Sequence, residues 1–354
     1  MKLLFVSDKF DFSPHSAIDS IFNKYLKKYI HVDIVYFSKK NTFEKKENKF
    51  LIPYKDRKKI YTYIDLKDYN IVIVRNFFDV LNSLLKLSRN FKVGFQLSFP
   101  HSYRRYYQAK VEKKAIIRKS LEYFLKEKIE KRLIYKTDFF LPISEYMINE
   151  FFNDIKTPYF ILPLGIDPEY VLQKKLIIDE QLKFLYIGTI DKLREFDKLL
   201  DVLKEFQKDN WILDIYSSTN LQIDKKLQNK IFQKGYIKRS ELLNKINEYD
   251  VGIFVLPNVT LYKVASPTKV MEYYQAGIPS LMSNIPECVE LFDDNSGFIV
   301  NFDKDDLKNS IKKILSMDKL SLINMGYRGQ NILLKKRNYK IISKELFDFL
   351  KDLV

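Results

Sequence analysis

Cysteine is almost absent from this 354-residue chain: Cys288 stands alone. One thiol excludes an internal disulfide framework and a thiolate metal cage, and it fits a reducing cytoplasm. A small, half-buried side chain is the plain expectation for it. Histidine is nearly as scarce, with three residues, His15, His31 and His101. No two have metal-ligand spacing and no paired acidic motif accompanies them, so no bound cation or other cofactor is expected. Long apolar runs are missing too. Leu3 to Val6 is cut short at Ser7-Asp8, which is too brief for a secretory h-region. Nowhere do about 18 apolar residues follow one another, so no segment is expected to span a bilayer.

Charge of one sign is in excess instead. Lys and Arg number 61 against 45 Asp and Glu, a formal net charge of +16. Such a field favours phosphate-bearing partners, whereas a lysine-biased composition raises the charge with no partner at all. The hydrophobic content of 46% describes an ordinary globular chain, and the length favours two domains.

Short apolar runs alternate with amphipathic stretches throughout, the pattern of βα units on parallel sheets, so the fold class is α/β. Strands are expected at Lys2–Val6, Val32–Phe37, Ile71–Val74, Lys92–Leu97 and Asp138–Ile143. The second half repeats the pattern at Lys183–Ile187, Trp211–Tyr216, Ile231–Tyr236, Val251–Leu256, Pro279–Met282 and Phe298–Val300. Ile18, Ile21, Phe22, Tyr25, Leu26 and Tyr29 share one helical face after a Ser13 cap and Pro14. Leu193, Phe196, Leu199, Leu200 and Leu203 form another. The Pro- and Gly-bracketed stretch Leu162–Pro168 reads as a hinge between two doubly wound domains.

The segment Ser266-Pro267-Thr268-Lys269 carries the clearest chemical signal. Serine is a strong N-cap and proline suits the first turn, so a helix is expected to begin there. It follows strand Val251–Leu256, at the carboxyl end of the sheet, where open α/β folds bind ligands. Unpaired N–H groups, the positive end of the helix dipole and Lys269 together suit a diphosphate. Glu272, three residues on, is placed to accept hydrogen bonds from ribose hydroxyls. A well-capped surface helix with an ordinary Lys–Glu pair explains the same residues.

The longer run from Ser266 to Pro279 resembles the donor-binding signature of the family 4 retaining glycosyltransferases. Leu164-Gly165-Ile166-Asp167 resembles that family's inter-domain segment, and Tyr186-Ile187-Gly188-Thr189 with Arg194 its glycine-rich phosphate element. Gly235, Glu241-Leu242 and Tyr249-Asp250-Val251 resemble the stretch before the donor helix, and Pro286-Glu287, Glu290 and Gly297-Phe298 the closing run. The first half is matched only at Leu141-Pro142-Ile143-Ser144-Glu145. The resemblance implies the GT-B fold, two Rossmann-like domains facing across a cleft. An acceptor domain would span 1–165, a nucleotide-sugar donor domain 166–337, and a last helix in 338–354 would cross back to the first. It implies donor contacts from Gly188, Thr189, Arg194, Ser266, Pro267, Thr268, Lys269, Glu272 and Glu290. Arg194 and Lys269 would stabilise the leaving diphosphate, and His101 would line the active site near the transferred sugar. Ser13, His15 and Tyr103 are the acceptor-side candidates. Val264 stands where the family's first glutamate would fall, Thr189 where arginine is common and Glu195 where glycine is. A shorter variant with Ser-Pro-x-Lys and without the first glutamate occurs among bacterial surface-polysaccharide enzymes, and this chain resembles that branch.

The stretch from Tyr103 to Lys136 holds twelve Lys or Arg against four acids, with apolar residues at helical spacing. A basic amphipathic helix suits an anionic membrane surface, and equally a helix packed on its own domain with its lysines in water. No RNA- or DNA-binding motif accompanies the charge, so nucleic acid is not an expected partner. The resulting expectation is a metal-independent retaining glycosyltransferase. Its donor would be a UDP- or GDP-sugar, and its acceptor a glycan or lipid-linked saccharide. It would work on the cytoplasmic face of the cell membrane in bacterial surface-glycan synthesis. The alternatives are a GT-B nucleotide-sugar epimerase and a non-catalytic basic protein that binds polyanions.

Overall fold

A computed structural model describes residues 1–174, 176 and 180–354. The chain divides into two compact units. The first comprises Met1–Leu164, Val264–Ser266 and Tyr339–Val354, and the second Gly165–Lys263 and Pro267–Asn338.

The first unit is built on seven strands: β1 (Lys2–Phe10), β2 (His31–Ser38), β3 (Glu44–Lys46), β4 (Lys49–Pro53), β5 (Ile71–Arg75), β6 (Lys92–Leu97) and β7 (Phe139–Pro142). They lie in the order β3-β4-β2-β1-β5-β6-β7. All neighbours pair in parallel except the β3–β4 hairpin. Leu3, Leu4, Phe5 and Val6 are wholly buried, as are Ile71 to Val74. Such continuous apolar runs are what a sheet covered on both faces requires.

The second unit carries six strands: β8 (Leu182–Ile187), β9 (Trp211–Tyr216), β10 (Ile231–Gln233), β11 (Val251–Phe254), β12 (Ser280–Ser283) and β13 (Phe298–Val300). Their order is β10-β9-β8-β11-β12-β13, all parallel. Numbered within the unit this is 3-2-1-4-5-6, the doubly wound order. Disregarding β3, the first sheet has the same order. Each sheet therefore has one switch point, β1/β5 in the first and β8/β11 in the second, where ligands of such folds gather outside the carboxyl ends.

The structure differs from the sequence expectation in several places. The β3–β4 hairpin is additional; β4 pairs with β2, and β3 is a polar edge. The third strand of the second unit stops at Gln233, because Gly235 turns the chain at φ +72°. The first helix does not start at Ser13. The Ser13 N–H donates to the Phe10 carbonyl in a turn through Asp11 and Phe12, both at positive φ. The helix is capped at Ala17 and winds over Ile18–Tyr25 as a π-helix, still burying Ile18, Ile21, Phe22 and Tyr25. Tyr29 is exposed and stacks on Phe347 of the final helix, Tyr339–Lys351, which counts with the first unit. Cys288 is fully buried, not half-buried, and burial pushes its thiol well above the ordinary range.

Candidate functional site

The switch point of the second sheet is organised by one helix, Thr268–Gln275. Its carboxyl end closes in a Schellman motif: Gly277 N–H donates to the Tyr274 carbonyl and Ile278 N–H to that of Tyr273. Gly277 sits at φ +81°, which favours glycine, and a β-carbon there would lie 3.0 Å from the Leu172 carbonyl. The fully buried Tyr273 lies over Gly252 of β11, where a β-carbon would fall 2.3 Å from its ring. Its hydroxyl accepts from Ile187 N–H at 3.2 Å and donates to the Ile253 carbonyl at 3.2 Å. One phenol thus ties the helix to the ends of both β8 and β11. The expected Ser266 cap is not formed; the N-cap is Pro267, which has no side-chain acceptor. The Ser266 hydroxyl instead accepts from Leu164 N–H at 3.2 Å.

The first turn of this helix presents Lys269. Its ammonium lies 2.6 Å from Glu272 Oε2, and that carboxylate is almost fully buried. Lys269 also lines a recess of about 310 Å³ with Ile187, Gly188, Thr189, Ser217, Tyr236 and other residues at the carboxyl ends of β8 and β9. Arg194 Nη1 reaches to 3.6 Å of where a Gly188 β-carbon would stand. Tyr186 donates its hydroxyl to the Thr189 carbonyl at 2.8 Å, shaping the turn under the guanidinium. Burial raises the Tyr186 phenol, partly offset by Arg194. Two cations therefore flank a glycine turn at the sheet's carboxyl edge, beside a helix start whose first N–H groups lack intrahelical partners. That arrangement suits a diphosphate.

A second polar cluster lies at the switch point of the first sheet. Buried Arg75, at the end of β5, donates to Asp8 Oδ1 at 2.9 Å and lies 3.4 Å from His15 Nε2. Asn76, at φ +59°, donates to Asp8 Oδ2 at 2.6 Å and to Ser98 Oγ at 2.8 Å. Burial lowers the Arg75 pKa, and Asp8 counters it. His101 opens the helix His101–Glu112 and lines a recess of about 590 Å³ with Asp8, Asn76, Arg104, Arg105 and Gln108. Its pKa lies below the ordinary 6.5, first through desolvation of the ring in this recess. Arg104, Arg105 and Arg75 push the same way against Asp8.

Residues 169–331 match the family model described as Glycosyl transferases group 1. Over this segment, a little under half of the chain, the protein is similar to the glycosyl transferases group 1. Solved structures agree with the GT-B fold over the whole chain. Sucrose-phosphate synthase from Thermosynechococcus elongatus is 14% identical with a TM-score of 0.73, covering 100% of this chain and 99% of that one. Trehalose-6-phosphate from E. coli bound with UDP-2-fluoro glucose is 14% identical with a TM-score of 0.67, again covering 100% and 99%. The lipopolysaccharide outer core galactosyltransferase WaaB in its apo form is 14% identical with a TM-score of 0.62, covering 97% and 100%. No curated protein sequence matches the chain.

In the second unit Gly188, Thr189, Arg194, Lys269 and Glu272 come together, with Pro267 and Thr268 at the helix start. Glu290 sits on the exposed face of the short helix Pro286–Leu291, outside the recess lining. Ser266 is counted with the first unit. His15 and His101 both border the Asp8–Arg75 cluster. Ser13 remains in its turn, and Tyr103 joins an aromatic group with Tyr106, Tyr123 and Phe151. Sequence reasoning missed Asp8, Arg75, Asn76 and Tyr273. A signal existed for Arg75-Asn76: two polar residues directly after the apolar run Ile71–Val74, at a strand's carboxyl end.

Proposed function

We propose that the enzyme transfers a hexosyl group from a UDP-sugar to a saccharide acceptor with retention of configuration and without a metal ion. The observation that carries this is Lys269, on the first turn of the Thr268–Gln275 helix, lining the recess beside Gly188 and Arg194. As the glycosidic C–O bond to the diphosphate breaks, negative charge grows on the β-phosphate. Lys269, Arg194 and the helix N–H groups are fixed in advance to receive it, so stabilisation of the leaving group is the main catalytic term. Two side-chain cations then take the part that a divalent ion plays in other phosphate sites. Glu272 would meet the ribose, and Lys269 would divide its charge between that carboxylate and phosphate. On the acceptor side, His101 is neutral at pH 7 and offers one donor and one acceptor nitrogen. UDP is favoured as nucleotide because the E. coli relative is bound with UDP-2-fluoro glucose. The likeness to a lipopolysaccharide galactosyltransferase supports a lipid-carried acceptor in surface-glycan assembly at the cytoplasmic face of a membrane. Thermal shift with UDP, GDP and ADP, each with and without EDTA, tests this reading. UDP should stabilise the protein equally in both conditions. Stabilisation by no nucleotide, or only in the absence of EDTA, would overturn it.

A further inference from the structure

The helices His101–Glu112 and Ile116–Ile134 form a hairpin whose turn carries Lys113 and Ala115 at positive φ. The second helix has a face that no other described residue covers. Ile117 is 88% exposed, Leu121 62%, Phe124 57%, Leu125 57% and Ile129 58%. At 3.6 residues per turn these five occupy an arc of about 140°. Arg118, Lys128 and Arg132 are exposed within the same arc.

The carboxylates lie elsewhere on the helix. Glu122 is held between Lys119 at 2.8 Å and Lys126 at 2.6 Å. Glu127 pairs with Lys131 at 3.2 Å, and Glu130 accepts from Ser102. The exposed arc is therefore apolar and basic, with no acid. A protein partner of mixed surface charge would not require that one-sided pattern; a surface of acyl chains under anionic headgroups would. No helix among the described residues is long and apolar enough to cross a membrane.

We infer that the Ile117–Ile129 face docks on an anionic lipid surface, its five apolar side chains in the acyl–headgroup boundary and Arg118, Lys128 and Arg132 among the headgroups. This deepens the proposed membrane-carried acceptor and rests on that part of the reading. It predicts two components of binding. The apolar side chains supply a part insensitive to salt. Each base strengthens binding to an anionic surface about fivefold, so the three supply about a hundredfold that raised salt removes.

Co-sedimentation with phosphatidylcholine vesicles, with and without phosphatidylglycerol, reads both components on the full chain. The wild type should bind the anionic vesicles about a hundredfold more tightly, and salt should erase the difference. The triple variant Arg118→Gln, Lys128→Gln, Arg132→Gln should lose that preference while keeping the wild-type melting temperature. Leu121→Glu with Leu125→Glu should lose binding to both vesicles. Equal binding by wild type and triple variant overturns the inference. So does failure of the wild type to bind, including the case where light scattering shows a dimer that Leu121→Glu/Leu125→Glu dissociates. Nucleotide stabilisation is measured in the same samples. UDP stabilisation without vesicle binding removes the docking face and leaves the transferase reading; vesicle binding without nucleotide stabilisation does the reverse.

Discussion

Lys269 stands at once in an ion pair and in the proposed phosphate grip, and one substitution separates the two. In Lys269→Met the Glu272 carboxylate, with only 4% of its side chain exposed, loses the ammonium at 2.6 Å. Breaking a fully buried pair costs about 3–5 kcal/mol. Here the lysine side chain is 26% exposed, so water reaches one partner, and about 1–3 kcal/mol is the better figure. Urea unfolding should show that loss with an unchanged m-value. Loss of a charge-assisted bond to phosphate costs about 1.5–3 kcal/mol, which weakens UDP binding about 10- to 150-fold. Adding Glu272→Gln removes the buried negative charge, so the double variant should recover most of the stability and none of the UDP affinity. Isothermal titration with UDP provides the second readout. If Lys269→Met lowers stability but leaves the UDP dissociation constant within threefold of wild type, the lysine is only structural and the phosphate grip is refuted.

Tyr273→Phe deprives Ile187 N–H and the Ile253 carbonyl of their shared buried partner, so urea unfolding should report a loss of about 2–4 kcal/mol. An unchanged midpoint would show that the hydroxyl is not the tie. His101 has a folded-state pKa below 6.5, so its NMR titration should centre below that value. The unfolded chain then binds a proton that the native ring refuses. Stability should accordingly fall as pH drops below 6.5, and His101→Asn should flatten that portion of the curve. Cys288, wholly buried with a raised thiol pKa, should resist a disulfide-exchange reagent in native buffer and react once denaturant is added.

Most strands were legible because strands buried on both faces leave unbroken apolar runs such as Leu3–Val6 and Ile71–Val74. The β3–β4 hairpin was not. Lys45 and Lys46 give its outer strand the composition of a loop, which is how an edge strand is protected. The π winding of Ile18–Tyr25 is equally silent, since an α-helical period already accounts for its buried side chains. In the second unit the residues of the proposed donor site were readable because they follow one another in local motifs. The polar cluster of the first unit was not. Asp8, Asn76 and Ser98 come from the ends of three strands, 68 and 22 positions apart, and only the sheet order brings them together. Val264 shows a different limit. Its apolar side chain is buried, yet its carbonyl accepts from Ser144 Oγ at 2.8 Å, so the position acts through backbone that residue type does not reveal.

The tie made by Tyr273 has a consequence for redesign. Alignment of the Thr268–Gln275 helix is lodged in its inward side, in Tyr273 on Gly252 and the Schellman turn at Gly277. The groups proposed to meet a ligand, Thr268, Lys269 and Glu272, stand elsewhere on the same eight residues. Anchor and reagent are thus separable within one short segment. A library that varies Thr268 and its neighbours around the recess, with Tyr273, Gly252 and Gly277 held constant, would change what the site accepts without moving the platform beneath it.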